Sequence, residues 1–305
     1  MLRSQTSVSE PLRISIVTPS LNQGGTIEET IVSILDQSYP SVEHFVIDAQ
    51  SSDQTIEVLE RYPHLRWVSE PDDGQTDAIN KGLKMCSGEI FAFLNADDVY
   101  RPGAFQRVAE LFADPSCDIV VGDCDVIDGA SKTVDRYQAR LDRPEDLLRF
   151  WDWGKAVCVP QPSTFMRRSA LELVGAFDQS YDMAMDYEMW LRLAGSCRFV
   201  VVSESLAGFR ITPDTKTSSR PFDALMETAR ASLQYVSLAP PTRRLRSRLE
   251  ILARTAGGVV AMGESNTPHL VGGRTPRELA ARAAGFWPPV LVSRRWWKLA
   301  LFGAR

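Results

Sequence analysis

From residue 12 to residue 123 the chain alternates short β-branched runs with helix-like stretches, and few architectures accept that alternation. LRISIVTPS (12–20) reads as a strand that stops at Pro19 and Ser20. Thr26 and Glu29 then have the S/T-x-x-E spacing of a capping box, and Ile27, Ile31, Ile34 and Leu35 follow at helical spacing. VEHFVIDAQ (42–50) is a buried-strand pattern ending in Asp48. Asp53 is placed to cap a helix carrying Ile56 and Leu59. LRWVS (65–69) reads as a third strand, and DDGQTDAINKGLKMC (72–86) as a turn and a helix. EIFAFL (89–94) and DIVVGD (118–123) are the fourth and fifth strands. Repeated strand–helix units predict an α/β chain with a parallel, helix-covered sheet. Ligands of such sheets collect beyond the carboxyl ends of the strands. Three strands here end in polar residues, at Pro19–Asn22, at Asp48 and at Asn95–Asp98. If they are parallel neighbours, these groups meet at one edge.

Composition removes several function classes. The net charge is -5 and the pI about 5.4, so no global basic field points to nucleic acid. The five cysteines are scattered and form no CxxC pair, which predicts reduced thiols in a cytoplasmic protein. The N-terminal MLRSQTSVSEPLR lacks an apolar signal core. No run approaches the roughly 18 apolar residues that span a bilayer. Charge is uneven, however. Val236 to Arg305 carries 12 Lys/Arg against 3 Asp/Glu. An acidic body with a basic C-terminal appendage is expected.

The run FAFLNADDVYRPG (91–103) ends a strand in two adjacent carboxylates. Like charges side by side repel, and each resists desolvation. A solvated turn and a hard-cation site both explain the pair. The chain has no GxGxxG or GxxxxGK[ST] loop, so an ordinary dinucleotide or P-loop site is disfavoured. Were a phosphate to bind, a divalent cation on Asp98 would neutralise it. Further along, residues 161–194 begin strand-like and end as a helix with Met185, Met189, Leu191 and Leu193 on its apolar face. Asp186 and Glu188 are two apart, so on a helix they point about 200° from each other and cannot serve one site equally. Asp186 lies near the helix start, where a negative charge is favoured. Glu188 fits an exposed helix face.

Five stretches in series resemble the family 2 glycosyltransferases, which have the GT-A fold, an α/β fold with a mostly parallel mixed sheet flanked by helices. They are ISIVTPSLNQ (14–23), VIDAQSSDQT (46–55), DDGQTDAINKG (72–82), FLNADDVY (93–100) and AMDYEMWLRL (184–193), with a weaker match at FRITPDTKTSS (209–219). The resemblance implies a GT-A catalytic domain at 13–220, after a flexible N-terminus at 1–12 and before a mainly helical, basic extension at 221–305. It implies transfer of a single sugar, with inversion, from a nucleotide-diphosphate-sugar to an acceptor hydroxyl. UDP is the commonest nucleotide in the family. The expected setting is cell-surface polysaccharide or glycolipid biosynthesis. Pro19, Ser20 and Asn22 would edge the nucleotide pocket, and Asp48 would pair with the nucleobase. Gln75, Asp77 and Asn80 lie in the helix that faces donor groups. Asn95, Asp97 and Asp98 fall on the acidic motif, with Asp97 near the ribose or donor sugar and Asp98 the ligand for Mg²⁺ or Mn²⁺. Asp186 takes the place of the catalytic base. Arg210 and Lys216 lie in a late segment that closes over the diphosphate.

The chemistry of the residues agrees with these roles. A divalent cation on hard oxygens stabilises a departing nucleoside diphosphate, and a poor hydroxyl nucleophile needs a base to take its proton. A single displacement needs one base and no covalent nucleophile. The sequence also departs from the family pattern. Asn95 stands where the acidic motif begins with Asp, and Met185 replaces the Glu of the Glu-Asp pair. Ala49 and Gln50 replace glycines, and Thr212 stands where many relatives have His. The processive Gln-x-x-Arg-Trp signature is absent, since Val292 precedes Arg295-Trp296 at the Gln position.

Two further features bear on partners. Trp151 and Trp153 lie in the variable stretch 124–165, and stacking on an acceptor ring and ordinary packing both explain them. FWPPVLVSRRWWKLALFGAR (286–305) interleaves Trp287, Trp296 and Trp297 with Arg294, Arg295 and Lys298, which suits an anionic membrane interface and equally suits packing on the catalytic body or a second subunit. The expected partners are therefore a nucleotide-sugar donor and a glycan or lipid-linked acceptor. Peripheral contact with the inner face of the cell membrane is also expected, and nucleic acid is not. Two rival readings are a catalytically idle nucleotide-sugar-binding or scaffold relative and a nucleotidyltransferase. The second needs a basic Gly-rich loop after the first strand, and PSLNQGG has no Arg or Lys.

Overall fold

The structure is a computed structural model that describes residues 10–212 and 215–264. The first half builds β1 (Ile14–Ser20), α1 (Ile27–Leu35), β2 (Val42–Asp48), α2 (Thr55–Glu60), β3 (Arg66–Ser69), α3 (Gln75–Met85) and β4 (Ile90–Phe93). The strands are β-branched or aromatic, and β1, β2 and β3 are each followed by a helix, as the sequence pattern predicts. β5 (Val99–Tyr100), α4 (Ala104–Phe112), β6 (Ile119–Ile127) and β7 (Thr133–Tyr137) follow. The chain then forms β8 (Thr164–Arg167), α5 (Arg168–Val174), α6 (Met185–Ala194) and β9 (Phe199–Arg210). Three helices close the described part: α7 (Lys216–Ser219), α8 (Pro221–Gln234) and α9 (Arg244–Glu264).

All nine strands form one mixed sheet in the order β3-β2-β1-β4-β8-β6-β9-β5, with β7 on β6. β1 pairs parallel with both β2 and β4, and β2 parallel with β3. β8 is antiparallel to β4 and to β6, so the direction of the sheet changes there. Both faces are covered by helices. In β4, Ile90 and Ala92 join the core with Phe105, Val108 and Phe112 of α4, while Phe91 and Phe93 join the opposite core with Ala78 and Ile79 of α3. A strand buried on both faces reads as a continuous apolar run, which is why EIFAFL shows no alternation. α3 lies close on β1. A Cβ on Gly82 would stand 2.5 Å from Val17 Cγ1, so glycine sets that spacing.

Two local expectations are corrected. The capping box does not form. Thr26 makes no side-chain cap and donates to Gln23 Oε1 (3.0 Å). Glu29 is drawn away, because its Oε2 accepts from Arg210 Nη2 (2.6 Å) and Ser131 Oγ (2.5 Å). An ion pair with a buried guanidinium outweighs one more amide contact at an exposed helix start. Glu188 is not on an exposed face either. It is 1% exposed and accepts from Arg192 Nη2 (2.8 Å) and Tyr235 Oη (2.6 Å). The cause is α8, which packs on α6 and covers that face.

No described helix is long and apolar enough to cross a membrane. The Trp-rich basic run 286–305 lies outside the described residues.

His44 gives the fold an acid-sensitive point. It is buried in β2, with Nε2 2.9 Å from Thr18 Oγ1 and no partner for Nδ1 among the described residues. Burial, then the nearby His64, pulls its pKa from 6.5 down to about 3. The unfolded chain therefore binds a proton that the folded chain refuses between those values. Stability from this group is complete above about 6.5 and falls as pH drops toward about 3, by about 1.4 kcal/mol per pH unit. Urea melts at pH 7 and pH 5 are expected to show this loss, and His44→Leu is expected to flatten that slope.

Candidate active site

The pairing of β1 with β2 and β4 sets the site. Ser20 is opposite Asp48, and Val17 is opposite Phe93. The carboxyl ends of three parallel strands thus meet at one edge, as their polar termini suggest. A cavity of about 730 Å³ opens there. Pro19 and Ser20 of β1, Gln75 of α3, Asn95 and Asp97 after β4, and Asp186 of α6 all line it. Lys216 of α7 reaches it from the other side.

The two adjacent carboxylates have different surroundings. Asp98 is fully buried and does not line the cavity. Its Oδ1 accepts from the Arg210 amide (2.8 Å) and its Oδ2 from Asn95 Nδ2 (3.2 Å). Each oxygen thus has one donor from the fold, and the structure does not present this expected cation ligand to the cavity. Burial, then the charge of Asp97, pushes the Asp98 carboxyl well above the usual carboxylate range. Asp97 is the carboxylate that lines the cavity, and no other described side chain donates to it. Burial raises its pKa as well.

Asn95 has the orienting role that its place in the motif allows. Its Oδ1 accepts from Gln75 Nε2 (2.7 Å), and its Nδ2 faces Asp98 Oδ2 and Gln161 Oε1 (3.3 Å). Gln75 Oε1 in turn faces Lys216 Nζ (3.4 Å). Asp186 is the second residue of α6. Its Oδ1 accepts from the Tyr187 amide (2.7 Å), and burial raises its pKa. A carboxylate aimed into a cavity with a raised pKa is suited to receive a proton.

Ser20 lines the cavity with a buried hydroxyl that has no partner among the described residues. A buried polar group without a partner marks a place for a ligand atom.

Several expected site residues lie elsewhere. Asp48 is fully buried, and its Oδ2 accepts from the Ser51 amide (2.9 Å) and Ser69 Oγ (2.7 Å). Ser51 Oγ also bonds Asp48 Oδ1. Its neighbour Ala49 lines the cavity instead. Asn22 holds Ser51 and Ser52 in the facing loop, through its own amide (2.7 Å) and its Oδ1 (2.8 Å). Asp77 pairs with Lys81 (3.3 Å) and Gln179 (2.8 Å). Asn80 is spent on the main chain of Phe177, at 2.8 and 2.9 Å.

Arg210 is 2% exposed and acts as a strut. Its Nε donates to the Asp97 carbonyl (2.7 Å), its Nη1 to the Asp128 carbonyl (3.0 Å) and its Nη2 to Glu29 (2.6 Å). None of these five residues lines the cavity; among them Arg210 directly braces a lining residue, Asp97.

Other lining residues carried weaker signals. Gln161 donates to the Phe93 carbonyl (2.7 Å) and braces Asn95; in sequence it is only part of a Pro-rich turn. Asp182 holds Lys216 Nζ at 2.5 Å and also bonds Arg220. Trp153 lines the cavity and is 39% exposed, whereas Trp151 stacks under Arg254, 5.7 Å from its ring centre.

The donor set fits a divalent cation only in part. No group of three His, Cys, Asp or Glu forms a metal cluster among the described residues. Asp97 offers hard oxygen, and Lys216 is the one Lys or Arg among the described lining residues. Mg²⁺ and Mn²⁺ commonly sit on one or two carboxylates and complete their shells with substrate phosphates and water. The cavity suits that arrangement.

The model of "Glycosyl transferase family 2" matches residues 15–175. A relative from Nostoc sp., the uncharacterized glycosyltransferase alr2836, is 33% identical over 177 residues. That match covers 55% of this chain and 54% of the relative, so it spans about half the length of that protein. S. aureus TarS 1-349 in complex with UDP-GlcNAc superposes with a TM-score of 0.63 at 17% identity, covering 95% of this chain and 88% of the other. The mannosyltransferase PcManGT from Pyrobaculum calidifontis, in complex with GDP-Man and Mn²⁺, gives a TM-score of 0.57 at 18% identity over 96% and 84%. At these identities the two structures establish the fold, which is GT-A.

Proposed function

This chain belongs to glycosyl transferase family 2, and on that premise we propose that it moves one sugar from a nucleotide-diphosphate-sugar to an acceptor hydroxyl with inversion. The observation that carries the reading is one cavity lined by Asp97 from the end of β4 and Asp186 from the start of α6. The nucleoside lies along Pro19, Ser20 and Ala49, where the Ser20 hydroxyl gains its missing partner. Gln75 and Lys216 face the diphosphate side. Asp97 is the residue that holds Mg²⁺ or Mn²⁺, in place of Asp98. When bound, that cation supplies charge neutralisation for the departing nucleoside diphosphate.

The reaction is a single displacement. The acceptor oxygen forms a bond to the anomeric carbon as the bond from that carbon to the β-phosphate oxygen breaks. The nucleoside diphosphate leaves with the electron pair, and the acceptor proton passes to Asp186. The raised pKa of Asp186 favours that last transfer. Trp153, at the open rim, provides a flat apolar face for a glycan acceptor. The bound nucleotide-sugars of TarS and PcManGT support the donor class, and the Mn²⁺ of PcManGT supports the cation. UDP is the first nucleotide to test, with GDP beside it.

The rival is an idle relative that binds nucleotide-sugars without turning them over. Release of nucleoside diphosphate from a panel of UDP- and GDP-sugars separates the two. Release with Mn²⁺ that stops with chelator is the expected result. Binding without release in the presence of every acceptor tried favours the rival.

A further inference from the structure

The segment that carries Asp186 into the cavity is held from outside the stretch matched by the family model. Residues 182–184 precede α6 and are not helical, so their amides have no partner within that helix. One oxygen of Glu227, on α8, accepts all three. Its Oε2 lies 2.9 Å from the Asp182 amide, 2.7 Å from Met183 and 3.1 Å from Ala184. Three consecutive amides converging on one carboxylate oxygen form an anion nest, and charge-assisted bonds of this kind are about twice as strong as neutral ones. The same face of α8 grips the segment twice more. Arg230 donates to the Ser180 carbonyl (2.6 Å) and lies 3.8 Å over the Tyr181 ring, and Gln234 accepts from Tyr181 Oη (3.0 Å). Glu227, Arg230 and Gln234 are spaced i, i+3 and i+7, which places them on one side of a helix.

We infer that Glu227 is a positioning residue: its carboxylate fixes the turn before α6 and so the aim of Asp186. This rests on the reading of Asp186 as the base. It makes α8 part of the transfer machinery. A catalytic group displaced by about 1 Å costs on the order of 100-fold in rate, and removing Glu227 leaves three amides without a partner.

The test compares Glu227→Ala, Glu227→Gln and Asp186→Asn. Turnover is read as nucleoside diphosphate release from UDP- and GDP-sugars with Mn²⁺. Donor affinity is read by UDP and GDP titration with Mn²⁺. Amide exchange is followed across 181–187. Glu227→Ala is expected to lower kcat about 10- to 100-fold, to leave nucleotide affinity within about two-fold, and to speed exchange at 182–184. Glu227→Gln keeps an acceptor oxygen in place and is expected to restore most of the rate. Wild-type kcat in Glu227→Ala overturns the inference. So does an equal loss of rate and nucleotide affinity, which marks general disruption, or a Gln variant no better than Ala. Normal turnover in Asp186→Asn overturns the base assignment instead, whatever Glu227 does.

Discussion

Asp186→Asn is expected to lower transfer by about 100- to 10,000-fold, the range that general-base catalysis contributes. Nucleotide binding is expected to stay near wild type. Asparagine keeps the size of the side chain and an oxygen for the Tyr187 amide, so the start of α6 survives. What it loses is the ability to take a proton. The pH dependence has a definite sign. Burial raises the pKa of Asp186, and the base works only when ionised. Activity is therefore expected to fall on the acid side through a pKa above the ordinary aspartate value. That acid limb is expected to vanish from the residual rate of the Asn variant. The check is a kcat–pH profile of both proteins.

Asp97→Asn and Asp98→Asn are expected to fail in different ways, although the residues are adjacent. Asp97 lines the cavity, and its carboxylate receives no donor from another described side chain. Its carboxylate is disfavoured by burial, so neutralising it costs the fold little and can even stabilise it. The expected loss is in cation-dependent nucleotide affinity, more than 10-fold on the scale of one carboxylate ligand. Asp98 holds the Arg210 amide and Asn95 Nδ2 away from solvent. Disturbing those contacts is expected to cost stability by about 1–3 kcal/mol. Any loss of nucleotide affinity then follows from a loosened Asn95. Urea melts and nucleotide titrations on both variants separate the two outcomes.

The sequence makes the parallel half of the sheet readable because its signals are local. β-branched runs, polar strand ends and helical spacing each lie within about ten residues, and β2 pairs with its sequence neighbours β1 and β3. The carboxylate pair is legible for the same reason. Which carboxylate opens on the cavity is not legible. That depends on β9 crossing from β6 to β5, which brings the Arg210 amide to Asp98 across 112 residues. The family resemblance implies Arg210 as a contact for the diphosphate. Its burial follows from the same long-range register. Glu188 is hidden by α8, and Glu227 acts across more than 40 residues, so no spacing rule reveals either. Asp186 could be read because it stands at a helix start inside a motif. Asp48 and Asn80 were legible as polar residues near the site, but their side chains are taken by Ser51, Ser69 and the Phe177 main chain.

Isothermal titration of UDP and of GDP into the protein, with Mn²⁺ and then with chelator, tests the assignment of Asp97 and the cation most directly. The expected result is binding of at least one nucleotide with Mn²⁺, lost with chelator, weakened more than 10-fold by Asp97→Asn and retained by Asp186→Asn. Nucleotide binding that is indifferent to both chelator and Asp97→Asn would contradict it.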